Sequence, residues 1–257
     1  TDETGTTWWG SPQGTITNVT FANSIFADPI QFSGHTDAAG NPQQHGLGVL
    51  VGPGTSNMSI VRNVMAFNWS RNPLVRAKTS GAQIVNNFIY RPGPFVNGAM
   101  YIGSYGGFDT PSPSDDFPNF PMVVSAIGNV AVRSPALTWH GKNTDAHESG
   151  FFVHQNATSD LSLFLEGNYS YNPDMGVWHP TGSQYSSPFY AGRVVPVGKR
   201  LGSNPHANSG GTAWTPLSGT PEFLKSQIVP GAGKFSGQRD LYDAALIAKI
   251  NDPNDQS

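Results

Sequence analysis

The sequence contains no cysteine, which excludes disulfides, thiolate metal sites and cysteine nucleophiles. Charge is scarce as well. Fourteen Lys and Arg against 17 Asp and Glu leave a formal net charge of -3, which supplies no basic field for nucleic acid, so an anionic ligand has to be met by a local cluster of cations. No run of about 18 apolar residues offers a membrane span, and no membrane partner is expected. The histidines His35, His140, His147, His154, His179 and His206 are scattered without a His-x-x-x-His spacing, which argues against zinc. Gly-x-Ser-x-Gly is also lacking, and Gly103-Ser104-Tyr105-Gly106-Gly107 reads as a loop rather than a nucleophile elbow. The start, Thr1-Asp2-Glu3-Thr4, is neither a signal peptide nor an initiator Met and reads as a processed or cut chain.

What is present is turn-forming and strand-forming. Thirty Gly and 21 Pro with 11% aromatics in 257 residues describe an all-β chain of a length that one domain can accommodate. Two copies of one pattern, Ile60-Val61-Arg62-Asn63-Val64-Met65 and Ile84-Val85-Asn86-Asn87-Phe88-Ile89, have their Asn residues 24 positions apart. A strand pattern that returns after roughly 20 to 30 residues predicts a solenoid, in which each copy buries its apolar face by stacking on the next. Further copies lie at 16–26, 123–132 and 161–171, and a looser one at 45–52. Taking Asn23, Asn63, Asn87, Asn129 and Asn168 as equivalent points gives gaps of 40, 24, 42 and 39, so one coil is bare and the others carry insertions. An Asn amide can hydrogen-bond to its counterpart on the next coil, and Asn tolerates the left-handed backbone of a sharp bend.

The insertion 103–121 has the composition of a groove-lining loop or of surface decoration. Residues 1–220 are expected to form the stacked body with its insertions, and 221–257 a tail packed on the outside. In that tail a helix is predicted over 239–250, with Leu241, Ala244, Ala245, Ile247 and Ala248 on one face and Asn251-Asp252-Pro253 ending it.

Four stretches together resemble the pectate lyase family of polysaccharide lyases, in its bacterial, parallel β-helix form. They are Thr1-Asp2-Glu3; His45-Gly46-Leu47-Gly48-Val49-Leu50-Val51-Gly52; Arg71-Asn72-Pro73-Leu74-Val75-Arg76 followed by Val85-Asn86-Asn87-Phe88-Ile89-Tyr90; and Gly231-Ala232-Gly233 with Arg239-Asp240 and Asp243. The likeness covers residues 1–92 and the tail from Val229; between them it is only the coil rhythm. It implies a right-handed parallel β-helix whose N-terminal coils precede Thr1. A second chain, the N-terminal fragment of the same precursor, would then stay tightly bound to this one.

The resemblance also implies calcium-assisted β-elimination of a polyuronate such as polygalacturonate, in a secreted or periplasmic enzyme. Cations near the substrate carboxylate stabilise the enolate that forms when the C5 proton leaves. Arg71 takes the base role and Arg76 braces the site. Because an Arg has a pKa above about 12, neighbouring cations such as Arg76 or Lys78 would have to favour its neutral form. Asp2 matches a calcium-binding aspartate, with Glu3 and Asp28 as companions supplying hard oxygens. His45 is a second candidate for proton transfer. Lys78, Trp69 and Tyr101 are candidate substrate contacts, and Trp8, Trp9 and Trp139 are further aromatics able to stack on sugars. The family's substrate-binding Lys has no clear counterpart where the chain reads Ala27-Asp28-Pro29-Ile30. Two other readings stand beside this one: a non-catalytic β-helix that binds glycans or serves as a spike or adhesin, and an N-terminal hydrolase using Thr1 as nucleophile.

Overall fold

The computed structural model describes residues 16–30, 32, 34, 36, 39–42, 46–52, 54–76, 79–93, 100–102, 122–132, 151–153, 161–172, 177–181, 201–206, 214–233 and 238–252. Five circuits of short strands follow one another. The first holds β1 (Ile16–Thr17), β2 (Thr20–Ala22) and β3 (Ile25–Ala27). The second holds β4 (Leu50–Val51), β5 (Thr55–Ser56), β6 (Ser59–Val61) and β7 (Val64–Ala66). β8 (Leu74–Val75), β9 (Ala82–Val85) and β10 (Phe88–Tyr90) form the third; β11 (Met100–Ile102), β12 (Met122–Ile127) and β13 (Val130–Val132) form the fourth. The fifth has β14 (Phe151–Val153), β15 (Leu161–Glu166) and β16 (Asn168–Asn172), against which β17 (Val177–Thr181) returns antiparallel.

Corresponding strands pair parallel between circuits, so the chain visits three sheets in rotation, with β1 and β5 forming a separate parallel pair. Sheet I contains β4, β8, β11 and β14; sheet II β2, β6, β9, β12 and β15; sheet III β3, β7, β10, β13 and β16, with β17 on its edge. The protein is therefore mostly β with parallel sheets, and two short helices follow: α1 (Pro221–Ile228) and α2 (Leu241–Asn251). Among the described residues no helix is long and apolar enough to cross a membrane.

Side-chain alternation separates two cores. In sheet II the in-register column Ile60, Ile84, Ala126, Leu165 points inward, as do Met65, Ile89 and Ala131 of sheet III. Neighbouring positions of sheet III, Val64, Ala66, Phe88, Tyr90 and Val130, point outward and are covered by Leu224 and Ile228 of α1 and Leu246, Ile247 and Ile250 of α2. Each such aliphatic side chain removed from water contributes roughly 1.5–3 kcal/mol.

Between sheets II and III runs a column of amides. Asn87 Oδ1 accepts from Asn63 N at 3.0 Å and from Asn63 Nδ2 at 3.0 Å. Asn129 Oδ1 accepts in the same way from Asn87, and Asn168 Oδ1 from Asn129. Every Nδ2 also donates to a strand carbonyl: Asn63 to Phe21, Asn87 to Ile60, Asn129 to Ile84 and Asn168 to Ala126. In the first circuit the sequence-based alignment is off by one. The ladder position there is Ser24, whose N donates to Asn63 Oδ1 at 2.9 Å across 39 residues. Asn23 instead occupies the left-handed position before it (φ 52°), shared by Arg62, Asn86, Gly128 and Gly167.

The tail also departs from expectation. The helix begins at Leu241, capped by Asp240, whose Oδ1 accepts from Asp243 N at 2.8 Å, and Asp252 caps its end. Its buried side chains are Leu246, Ile247 and Ile250, while Leu241 is 91% exposed and Ala244, Ala245 and Ala248 face out. Alanine methyls carry too little area to orient the helix against two branched aliphatics and a leucine. Gly233 N donates to Asn23 O, and the Arg239 guanidinium donates to the carbonyls of Val229, Pro230 and Ala232. The tail's Gly and Arg are thus docking residues.

Asn87→Ala is expected to lower stability by about 2–4 kcal/mol, because it strands the donors of Asn63 and a carbonyl on Ile60 inside the protein. The exposed Asn18–Asn57 pair at the neighbouring corner should lose no more than about 1 kcal/mol in Asn18→Ala, part of it from the left-handed backbone at Asn18 (φ 59°). Denaturant melts of both variants check this; equal losses would remove the ladder from its central role. His206, buried beside Asn204, has its pKa lowered from 6.5 by burial. A folded state that binds its proton less readily than the unfolded chain loses stability as pH falls below about 6.5. The melting temperature should therefore drop between pH of about 7 and 5, with a shallower drop in His206→Gln.

Candidate functional site

The chain leaves sheet III at Ala66 and enters sheet I at Leu74, and the corner between them carries the arginine motif. Two residues of this corner adopt left-handed backbone, Phe67 (φ 56°) and Arg71 (φ 67°). For non-glycine residues that conformation costs roughly 1–2 kcal/mol, so neighbours must hold it. Trp69 N donates to Gly46 O at 2.7 Å, Gly48 N to Ser70 O at 2.9 Å and Val49 N to Arg71 O at 2.7 Å. From the other side Gly93 N donates to Asn68 O at 2.9 Å. Inside the corner Asn68 Nδ2 donates to Phe26 O at 3.0 Å and to Asn72 Oδ1 at 2.8 Å, with Asn68 1% and Asn72 0% exposed. The backbone of Arg71 is thereby clamped between the circuits before and after it.

The glycines of the neighbouring circuits follow from this closeness. A Cβ on Gly48 would lie 2.5 Å from the Arg71 carbonyl oxygen and 2.9 Å from Asn68 Nδ2, and one on Gly93 would lie 2.7 Å from the Trp69 backbone. Only a residue without a side chain lets the strands approach there.

Arg71 and Arg76 are both half-buried and flank β8 at its two ends; Arg76 N donates to Val51 O at 3.0 Å. Trp69 is half-buried at the same corner. Tyr101 pairs in register with Leu74 on the preceding circuit and is 1% exposed, its ring packed within sheet I. His45, Lys78, Asp2 and Glu3 lie outside the described residues, as do Thr1, Trp8, Trp9, Trp139 and the insertion 103–121.

Asp28 lies elsewhere. It is the left-handed residue that ends the first circuit (φ 52°), in the column continued by Phe67 and Arg91. Its Oδ2 accepts from the Tyr242 hydroxyl of α2 at 2.8 Å. The phenol's pKa is raised to about 12, chiefly by desolvation and then by the hydrogen bond to Asp28 and the charges of Asp28 and Asp243. Tyr242 therefore stays a neutral donor. A cleft of about 220 Å³ opens here, lined by Asp28, Phe67, Tyr242, Ala245, Leu246 and Lys249. Neither Arg71 nor Arg76 lines it. Among the described residues no group of three His, Asp or Glu could hold a metal ion, and the Asp28 carboxylate is engaged with Tyr242.

This second cleft was not anticipated from the sequence. Its signal was a Tyr and a Lys off the face assigned to the tail helix, which becomes legible only once the helix is turned to bury Leu246 and Ile250. No protein-family model matches the chain, and no curated protein matches it.

Gly48→Ala should displace the Arg71 corner, lowering the melting temperature by several degrees and shifting the tryptophan fluorescence that includes Trp69. An unchanged melt and spectrum would show that the corner is looser than the contacts require.

Proposed function

We propose that this chain is the body of a right-handed parallel β-helix that cleaves a polyuronate by β-elimination, with Arg71 as the group that removes the C5 proton. The observation that carries the proposal is the clamped corner. An Arg-x-Pro-x-x-Arg segment with Arg71 in left-handed backbone is held on both sides by adjacent circuits, and its two guanidinium-bearing residues flank one strand of a parallel sheet. Stacked strands give a long, shallow surface that suits a linear polymer.

In the proposed reaction the C5–H bond breaks as its electron pair forms an enolate on the adjoining carboxylate. The pair then returns to form the C4–C5 double bond as the bond from C4 to the leaving sugar oxygen breaks, and that oxygen takes a proton from water. Arg71 accepts the proton, and Arg76 stabilises the charge on the carboxylate. A guanidinium is a base only when its neutral form is favoured, which a second nearby cation promotes. A fixed backbone origin keeps the Arg71 side chain from relaxing away from the reacting carbon. Calcium enters the proposal only through Asp2 and Glu3.

A binding-only reading rests on the same stacked surface, which can hold a linear polymer without cleaving it. One assay separates the two. Incubation with polygalacturonate should raise the ultraviolet absorbance of unsaturated uronate ends, and Arg71→Ala should cut that rate by about 100- to 10,000-fold while leaving the melting temperature near that of the parent. Retained elimination in the variant removes Arg71 from the role; binding without any rise favours a glycan-binding protein.

A further inference from the structure

The cleft under α2 has a composition of its own. Phe67 offers an aromatic face held by a fixed backbone, and the Lys249 ammonium lies over it, 4.8 Å from the ring centroid. One circuit from Phe67, the Asp28 carboxylate accepts the Tyr242 hydroxyl at 2.8 Å. Both polar pairs are exposed to solvent, and Ala245 and Leu246 close the space between them.

Each charge is thus met by a neutral partner. An aromatic face, a cation and a carboxylate around about 220 Å³ are the groups needed to hold one acidic sugar ring. The ring's C–H face lies on Phe67, its carboxylate pairs with the Lys249 ammonium as that group swings off the ring, and its hydroxyls donate to Asp28. The donor from Tyr242 weakens the pull of Asp28 on a cation while leaving it a good acceptor for hydroxyls. This favours a sugar acid over a zwitterion such as an amino acid.

We infer that the Asp28–Phe67–Tyr242–Lys249 cleft is a saccharide subsite for a uronate residue, beside the arginine corner, with which it shares Phe67 but neither arginine. The ligand class comes from the cleft's own groups; only the choice of galacturonate as probe rests on the lyase reading. Elimination activity plays no part in the test, so the two can fail independently. Amine acetylation of the full chain, followed residue by residue by mass spectrometry, reads the site locally. Galacturonate is expected to slow labelling of Lys249 several-fold, while Lys225, whose ammonium donates to Ile250 O at 2.7 Å, keeps its rate. Asp28→Asn and Tyr242→Phe should each abolish most of the protection. Labelling of Lys249 that is indifferent to galacturonate overturns the inference. Equal protection by galactose overturns the acidic class, and equal protection by acetate or by glycine overturns the sugar.

Discussion

The structure depends on a row of amides that cannot be separated from one another without exposing buried donors. Asn63, Asn87 and Asn129 each pass two hydrogen bonds forward to the next side-chain oxygen in the row, which ends at Asn168, and each of the four returns one to a strand carbonyl of the preceding circuit. All four are 0–1% exposed. In so dry a setting a missing partner costs far more than a surface bond would contribute. The row therefore fixes where sheet II ends and sheet III begins in every circuit. A slip of one residue would break the row and turn every apolar side chain of sheet III to the wrong face.

From that registration the outer layer follows. With Met65 and Ile89 directed inward, Val64, Phe88 and Val130 must face out, and a parallel sheet does not leave such a face in water. The two tail helices cover it. Their docking is fixed by polar contacts at the edges: Gly233 N to Asn23 O, Arg239 to three carbonyls, and Lys225 to Ile250 O. The backbone column that ends sheet III carries Asp28, Phe67 and Arg91 in successive circuits. Identical geometry thus accepts three unlike side chains where no ladder constrains them, and this freedom is what allows a cleft of mixed character.

The parallel stacking was legible in the sequence because the amide row repeats one residue type at one place in each strand pattern. The error at the first circuit has a physical source. Asn is favoured both for the ladder and for the left-handed residue preceding it, and Asn86-Asn87 shows both side by side. With Ser24 in the ladder, the only Asn in view was the wrong one of the pair. The tail helix was legible by its cap and its ending but not by its face, since five scattered apolar residues weigh alike in a pattern while Leu246 and Ile250 bury far more surface than alanines. The arginine corner was legible as a motif; its clamping by Gly48 and Gly93 was not, because close approach between circuits depends on insertions of unequal length. The Asp28 cleft could not be read at all, since it joins residues 214 positions apart.

The two sites differ in how their residues are held, and this difference bears on what each can do. At the arginine corner the main chain is hydrogen-bonded to the circuits on both sides, and Asn68 and Asn72 fill its interior. Position is fixed before any ligand arrives, as a step that moves a proton requires. At the α2 cleft Phe67 is fixed by the corner itself, but Tyr242 and Lys249 sit on a helix attached through one apolar face and a few edge contacts. Such a site suits binding, where a side chain can move to meet a ligand, and suits catalysis poorly, where a displacement of about 1 Å can cost a hundredfold in rate. On the proposed reading, chemistry at the corner and retention of the polymer at the cleft are the division of labour that this packing suits.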